Sequence, residues 1–291
     1  VQNLHLFQQL VQASPFQKEL EASMELANVL LKLAATHVME QRQTIVNAWQ
    51  RGRAVEIPVY LVGNTDWLVL DIKWSKIVKK QSSTMPTLVP IMAQHARTKE
   101  VVVLSVLIKE ESVLKDMVVM DVLHYISILY NKEVVQYHVM NLTPTKGMLV
   151  IVPDSRTLQS ITTEKKLTIQ NYLIEKNPQQ TVDLLRTRFL ESCVVASVLS
   201  HLCGLGDRHM ENILLHRSGR LFHIDFGYIM GDEPAGKQHL SAVTMKLTPE
   251  ILDAMGGEHS TYFSQFKSEV SSLYNLCRQH TKAFYYMMVP L

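Results

Sequence analysis

Apolar and polar positions change period several times along the chain, and each change predicts an element. From Phe16, apolar residues recur at Leu20, Met24, Ala27, Leu31 and Ala34, which predicts one long helix running to about Gln50 and stopped by Gly52. Ser14-Pro15-Phe16-Gln17 reads as its start, with Ser14 as N-cap, Pro15 as first helical residue and Gln17 as capping-box partner. From Val55 to Leu70 the pattern shortens to strand-like runs, "VEIPVYLV" and "WLVLDI". In "KKQSSTMPTLVPIM", small polar residues and Pro86 separate two apolar runs and predict strand, loop, strand. Val101 to Ile108 reads as a buried strand ending in Lys109, and Asp116 opens a helix with apolar positions at Val119, Leu123 and Ile126. "VVQYHVMNLTPTKGMLVIVPDSRTLQSI" alternates and ends in a Pro-Asp-Ser turn.

The second half of the chain is mostly helical. A long helix is predicted between Ile169 and Leu202, with an apolar face at Leu185, Phe189, Cys193, Ala196 and Leu199 and a stop at Gly204. Two short apolar runs follow, "NILL" and "LFHI". They are separated by the turn "HRSG", which contains Gly219, and they predict a β-hairpin whose second strand leads into Asp225-Phe226-Gly227. "MGDEPAGKQHLSAVT" is a polar loop containing Gly and Pro. A helix capped by Thr248 and Pro249 closes at Gly256. A further helical region carries apolar positions at Phe263, Phe266, Val270, Leu273 and Leu276.

The bulk numbers exclude more than they select. At 291 residues and 47% hydrophobic content the chain can bury a sizeable core, and a net charge of +2 gives no case for a nucleic-acid partner. Cys193, Cys203 and Cys277 show no CxxC spacing and read as small core residues in a reducing compartment. No uncharged apolar run is long enough to span a membrane. The chain begins on valine, so it is expected to be a fragment of something longer.

The chemistry concentrates between Gly204 and Gly231. Asp207 and Asp225 are metal-binding candidates, and Asp207-Arg208-His209 is followed by Asn212, then by Asp225-Phe226-Gly227 thirteen residues later. Phosphoryl transfer asks little covalent chemistry of a protein. It needs a positioned hydroxyl, divalent cations held by Asp and Asn oxygens, and cations on the phosphates. Lys109, at the end of an apolar strand, must direct its ammonium to something polar, and a nucleotide phosphate is a natural partner.

The order DRH-x-x-N followed by HIDFG resembles the phosphatidylinositol 3-/4-kinase superfamily, which includes the large related protein kinases. The resemblance covers Val55 to the end. It implies an α+β, bilobal protein-kinase-like fold with a small β-rich N-lobe and a larger, mostly helical C-lobe. Residues 1–54 would form an N-terminal helical segment, 55–152 the N-lobe and 153–291 the C-lobe. The implied cofactors are ATP and Mg²⁺, with Mn²⁺ as a substitute. By the same resemblance Ser82, four residues before Pro86, lies in the phosphate loop and Lys109 contacts the nucleotide phosphates. Asp116 ends the loop that follows, Tyr137 faces the adenine pocket, and Val150, Ile151 and Val152 form the hinge. Asn212 and Asp225 would hold the metal. Asp207 and His209 would act on the attacking hydroxyl and the developing charge, with Arg208 organising the loop. His223 reads as a structural, hydrogen-bonding histidine. The family's "GDDLRQD" after the phosphate lysine is here "EESVLKD", one residue shorter and without the glycine.

Lys237 and His239 fall in the substrate loop. Lys237 is the only lysine or arginine between Gly231 and Met245, which favours unphosphorylated phosphatidylinositol over phosphoinositides. "MKLTPEILDAMGGEHSTYFSQF" is most like the class III phosphatidylinositol 3-kinases. The alternatives are a phosphatidylinositol 4-kinase, a serine/threonine kinase of the related group, and an inactive kinase-like scaffold. Regulatory subunits or further domains of the same chain, phosphatidylinositol in membranes, and a cytoplasmic location peripheral on endomembranes are the associations the resemblance implies.

Overall fold

The computed structural model describes residues 14–53, 57–81, 85–232 and 247–291. It contains mixed helix and antiparallel sheet and divides into two compact units. Val1–Val113 with His138–Ile151 form one; Leu114–Tyr137 with Val152–Leu291 form the other. The helix after Lys109 thus groups with the second unit, although its neighbours in sequence on both sides belong to the first.

In the first unit, α1 (Gln17–Ala35) and α2 (Met39–Gly52) replace the single long helix expected from the periodicity. Thr36 and Val38 are extended at the break. The Thr36 hydroxyl donates to the Lys32 carbonyl (2.7 Å), while its own carbonyl accepts from Arg42 Nε (2.9 Å). Arg42 Nη1 also reaches the Ile77 carbonyl at 3.0 Å, so a distant loop fixes the elbow. The start differs as well. The helix begins at Gln17, whose side chain bonds forward to Glu21, and the Ser14 hydroxyl accepts only from Phe16 N–H, so no capping box forms. The buried face is Leu26, Val29, Leu30, Leu33 and Ala34, whereas Phe16, Leu20 and Met24 are 64%, 40% and 50% exposed. The first part of the apolar stripe read from the sequence, Phe16 to Met24, therefore lies beside the face that packs, while its last member, Ala34, is buried in the core.

That buried face belongs to one core with a seven-stranded antiparallel sheet. The strands are β1 (Tyr60–Leu61), β2 (Asn64–Ile72), β3 (Val78–Lys79), β4 (Thr87–His95), β5 (Val101–Lys109), β6 (Val139–Thr143) and β7 (Lys146–Val150). Their order is β1-β2-β4-β5-β7-β6, with β3 added to β4. Alternation on β5 sends Leu104, Val106 and Ile108 into the core. Val101 and Val103 stay open to solvent, so the strand is half-buried rather than buried along its length. The sheet curls until its ends meet. His138 next to β6 bonds the Val62 carbonyl at 2.6 Å, and a Cβ on Gly63 (φ +71°) would lie 2.0 Å from Met140 Cε.

In the second unit, α3 (Leu114–Tyr130), β8 (Ser155–Thr157), α4 (Ile169–Lys176), α5 (Val182–Cys203), β9 (Ile213–His216), β10 (Leu221–His223), α6 (Pro249–Ala254), α7 (Thr261–Gln279) and α8 (Thr281–Met288) follow in order. The helix expected from Ile169 to Leu202 is split in two. Pro178 cannot continue α4, and Asn177 Nδ2 donates to the carbonyls of Leu173 (2.9 Å) and Arg217 (2.7 Å) at the break. Thr181 caps α5, and Thr248 caps α6 with Pro249 at its first position. The predicted hairpin is present as β9–β10, antiparallel, with β8 on its outer side. Ser192, inside α5, accepts from Leu221 N–H at 2.8 Å and so holds β10 against the buried helix. All three cysteines are buried and free.

One close approach fixes the geometry just beyond Lys109. A Cβ on Gly147 would sit 2.2 Å from a Val113 methyl. Gly147→Ala is expected to destabilise the protein by about 2 kcal/mol through overpacking, and Val113→Ala in the same chain should restore part of the loss. Urea unfolding of the two variants measures both.

Candidate active site

Gly204 ends α5 in the left-handed conformation (φ 53°, ψ 51°), and a side chain there would meet Gly231 N at 2.9 Å. This close approach lets two loops, Gly204 to Asn212 and Asp225 to Asp232, lie against each other. Three backbone bonds lace them: Gly206 N–H to Tyr228 O (2.9 Å), Met230 N–H to Cys203 O (2.7 Å) and Gly231 N–H to Gly204 O (3.1 Å). Asp207 and Asp225 both have positive φ, 53° and 60°. Aspartate tolerates this region better than most residues.

Arg208 is buried between the loops. Its Nε donates to Gly206 O (2.7 Å), its Nη1 to Ile224 O (2.8 Å) and its Nη2 to Asp225 O. The guanidinium also lies 5.5 Å from the Phe226 ring centre. Burial lowers its pKa, and the charges of Asp225 and Asp207 oppose that shift. All three bonded groups are backbone carbonyls, so Arg208 sets the shape of both loops.

Asn212 joins the same framework. Its side-chain Nδ2 donates to Asp207 O (3.1 Å), its N–H to His209 O (2.9 Å), and its carbonyl accepts from Ile224 N–H (3.1 Å). With the amide nitrogen committed, Oδ1 is the atom left to face a cation. The bond to Ile224 places Asn212 beside the residue that precedes Asp225. Asp225 Oδ1 accepts from Gly227 N–H at 3.4 Å. No group of three or more His, Cys, Asp or Glu converges among the described residues. An Asp–Asn pair fits a Mg²⁺ that takes its remaining oxygens from phosphates and water.

His209 is 46% exposed at its side chain, with Nε2 3.8 Å from Asp207 Oδ2. Its Nδ1 accepts from Glu211 N–H (3.3 Å), so in the neutral ring Nε2 carries the proton and acts as a donor. Tyr137 OH donates to Asp116 Oδ1 (3.1 Å), and both residues are buried. Burial, then the Asp116 charge and that bond, raise the tyrosine's pKa well above its ordinary value; Asp225 adds to the effect. His223 is buried too, but its Nδ1 has no hydrogen-bond partner among the described residues. It is not the bonded histidine expected from the sequence. Burial, with Arg208 adding, pushes its pKa down to about 3.

Most of the remaining residues lie in the first unit or outside the described segments; Lys115 and Val152 belong to the second. Lys109 Nζ is 3.1 Å from Glu111 Oε1, and Lys146 pairs with Glu110. The shortened stretch after Lys109 is held by Asn141, whose Oδ1 accepts from Val113 N–H at 2.8 Å. Val150 and Ile151 use their N–H groups on His138 O and Ser105 O, both at 2.8 Å. Of the three hinge positions, only Val152 lies past these sheet bonds and past the end of the first unit. Pro86 closes its loop by accepting from Lys80 N–H (2.8 Å). Ser82, Lys237 and His239 lie outside the described residues. Sequence reasoning missed Glu111, Asn141 and Lys115. Lys115 Nζ donates to Gly227 O at 2.8 Å. Its one visible signal is its place directly before Asp116.

A mixed helix and antiparallel-sheet chain carrying this pair of laced loops has the layout of a kinase-like domain. Residues 105–289 match the family model described as phosphatidylinositol 3- and 4-kinase, and the chain belongs to that family. It is 38% identical over 149 residues to the phosphatidylinositol 3-kinase, root isoform, of Glycine max, which is 49% of this chain and 17% of that protein. The phosphatidylinositol 3-kinase VPS34 of Arabidopsis thaliana gives the same identity and coverage. The phosphatidylinositol 3-kinase pik3 of Schizosaccharomyces pombe is 32% identical over 178 residues, 57% of this chain and 22% of that protein. The match therefore spans about a fifth of the length of these relatives.

Two outcomes follow from this geometry. Arg208→Met strips the donors from buried carbonyls and should cost about 3 kcal/mol in urea unfolding, with loss of any activity that needs the loops in register. His223 refuses a proton that the unfolded ring accepts below its ordinary 6.5, so its contribution is complete above that pH and shrinks as pH falls toward 3. His223→Gln should flatten the acid limb of the stability profile by roughly one proton in this window.

Proposed function

We propose that this chain is the catalytic part of an ATP- and Mg²⁺-dependent lipid kinase that phosphorylates phosphatidylinositol at the 3-position. The observation that carries the reading is the Asn212–Ile224 backbone bond, which seats Asn212 next to Asp225 in a loop pair shaped by Arg208. In this reading the first unit is the small N-lobe and the second the larger C-lobe. Asn212 Oδ1 and the Asp225 carboxylate would hold a Mg²⁺, or Mn²⁺ in its place, which would supply positive charge against the phosphates. Lys109 supplies a cation for the phosphates, with Glu111 as its counter-ion while no nucleotide is bound. Asp207 accepts the proton of the attacking hydroxyl, and the Nε2–H of His209 donates toward the charge that develops beside it. Tyr137, held by Asp116, lines the adenine side, and Val152 offers the hinge N–H.

The lipid reading is supported by the relatives, all named as phosphatidylinositol 3-kinases. It is also supported by a loop after Asp225 in which Lys237 faces Asp232 and Glu233 in sequence, too few cations for a polyphosphorylated head group. No described helix is long and apolar enough to cross a membrane. The family resemblance alone is the ground on which we put the protein peripherally on endomembranes, with regulatory partners.

The full chain, given labelled ATP and Mg²⁺, is expected to label phosphatidylinositol liposomes more strongly than phosphoinositide liposomes or a mixed peptide pool. The label should sit at the 3-position, and Asp225→Asn and Lys109→Met should each reduce it by about a hundredfold or more. Label confined to peptides would replace the reading with a protein kinase. Label at the 4-position would make it a 4-kinase, and a folded chain that labels nothing would be a scaffold.

A further inference from the structure

The first turn of α3 sends two consecutive side chains to the candidate site, and only one of them has a role so far. Asp116 holds Tyr137. Lys115, directly before it, is half-exposed, and its ammonium donates to the Gly227 carbonyl at 2.8 Å and lies 3.5 Å from Asp232 Oδ2. Gly227 is thereby gripped on both sides: its N–H donates to the Asp225 carboxylate and its carbonyl accepts from Lys115. Glycine has no side chain with which packing could hold it, so these two bonds hold Gly227 itself within the turn that Arg208 shapes. Asp232 stands at the far end of the same loop, so one lysine spans the segment that begins with the metal-binding candidate.

We propose that Lys115 is a positioning residue that sets the Asp225 carboxylate by fixing Gly227, and so links α3 to the loop that carries the metal. This deepens the kinase reading given above and rests on it. One feature separates it from an ordinary surface ion pair. The shorter contact goes to a backbone carbonyl rather than to the exposed aspartate. The lysine is half-exposed and the ion pair lies at the surface, so its loss should cost little global stability.

The test compares Lys115→Met and Lys115→Arg with wild type in the full chain, by steady-state kinetics, thermal unfolding and backbone hydrogen exchange over residues 225–232. Lys115→Met is expected to lower kcat about tenfold, with KM for ATP within about twofold, an unchanged melting temperature and faster exchange in that segment. Lys115→Arg, which keeps a donor for the carbonyl, should recover most of both. Unchanged exchange and kcat in Lys115→Met would overturn the proposal. A kcat loss that tracks a fall in melting temperature and is not recovered by arginine would also overturn it. If the wild-type chain transfers no phosphate to any lipid, the kinase reading falls, and the exchange comparison still decides whether Lys115 holds the segment.

Discussion

The guanidinium of Arg208 is the point on which the two loops depend. It donates to one carbonyl in its own loop and to two at the end of the hairpin, all in a buried setting. Its planar fork reaches the three carbonyls from three separate nitrogens in fixed directions, whereas a lysine's three donors all radiate from one atom. Burying that charge is costly. The carboxylates of Asp225 and Asp207 offset part of the cost, as the opposing influences on its pKa record. The two aspartates thus serve the fold as well as the chemistry proposed for them.

The elements around Arg208 are arranged to deliver its partners. The buried helix α5 stops at a glycine because only a residue without a side chain lets the second loop come so close. Its Ser192 ties down β10, whose last residues lead to Ile224 and Asp225. A helix, a hairpin and a loop, each set by local sequence, converge on one cation.

Much of this was legible in the residues. The runs either side of His216-Arg217-Ser218-Gly219 gave the hairpin, Gly204 gave the helix end, and Thr248-Pro249 gave a capped start, because each signal is local. The failures have different causes. The elbow at Thr36 depends on Arg42 reaching Ile77, far away in sequence; the break at Asn177 had a local signal in Pro178, and the distant Arg217 carbonyl then holds it. The first turns of α1 present Phe16, Leu20 and Met24 to solvent because that helix has two adjoining apolar faces and only packing against the sheet chooses between them. Lys115 was passed over because a lone lysine in a helix's first turn carries no pattern, and its partner is a glycine carbonyl that any residue would supply.

The division of the chain into units has a consequence for how it comes together. β7 pairs with β5 across the whole of α3, and β6 takes its ladder pairing from β7. During synthesis the first strands of the curled sheet emerge well before the pair that completes it, and α3 must be made in between. A fragment ending before His138 lacks those two strands, and one beginning at Leu114 carries them without β5. Neither unit can be cut out as a continuous piece, and closing the sheet carries the loop-closure entropy of the helix it spans.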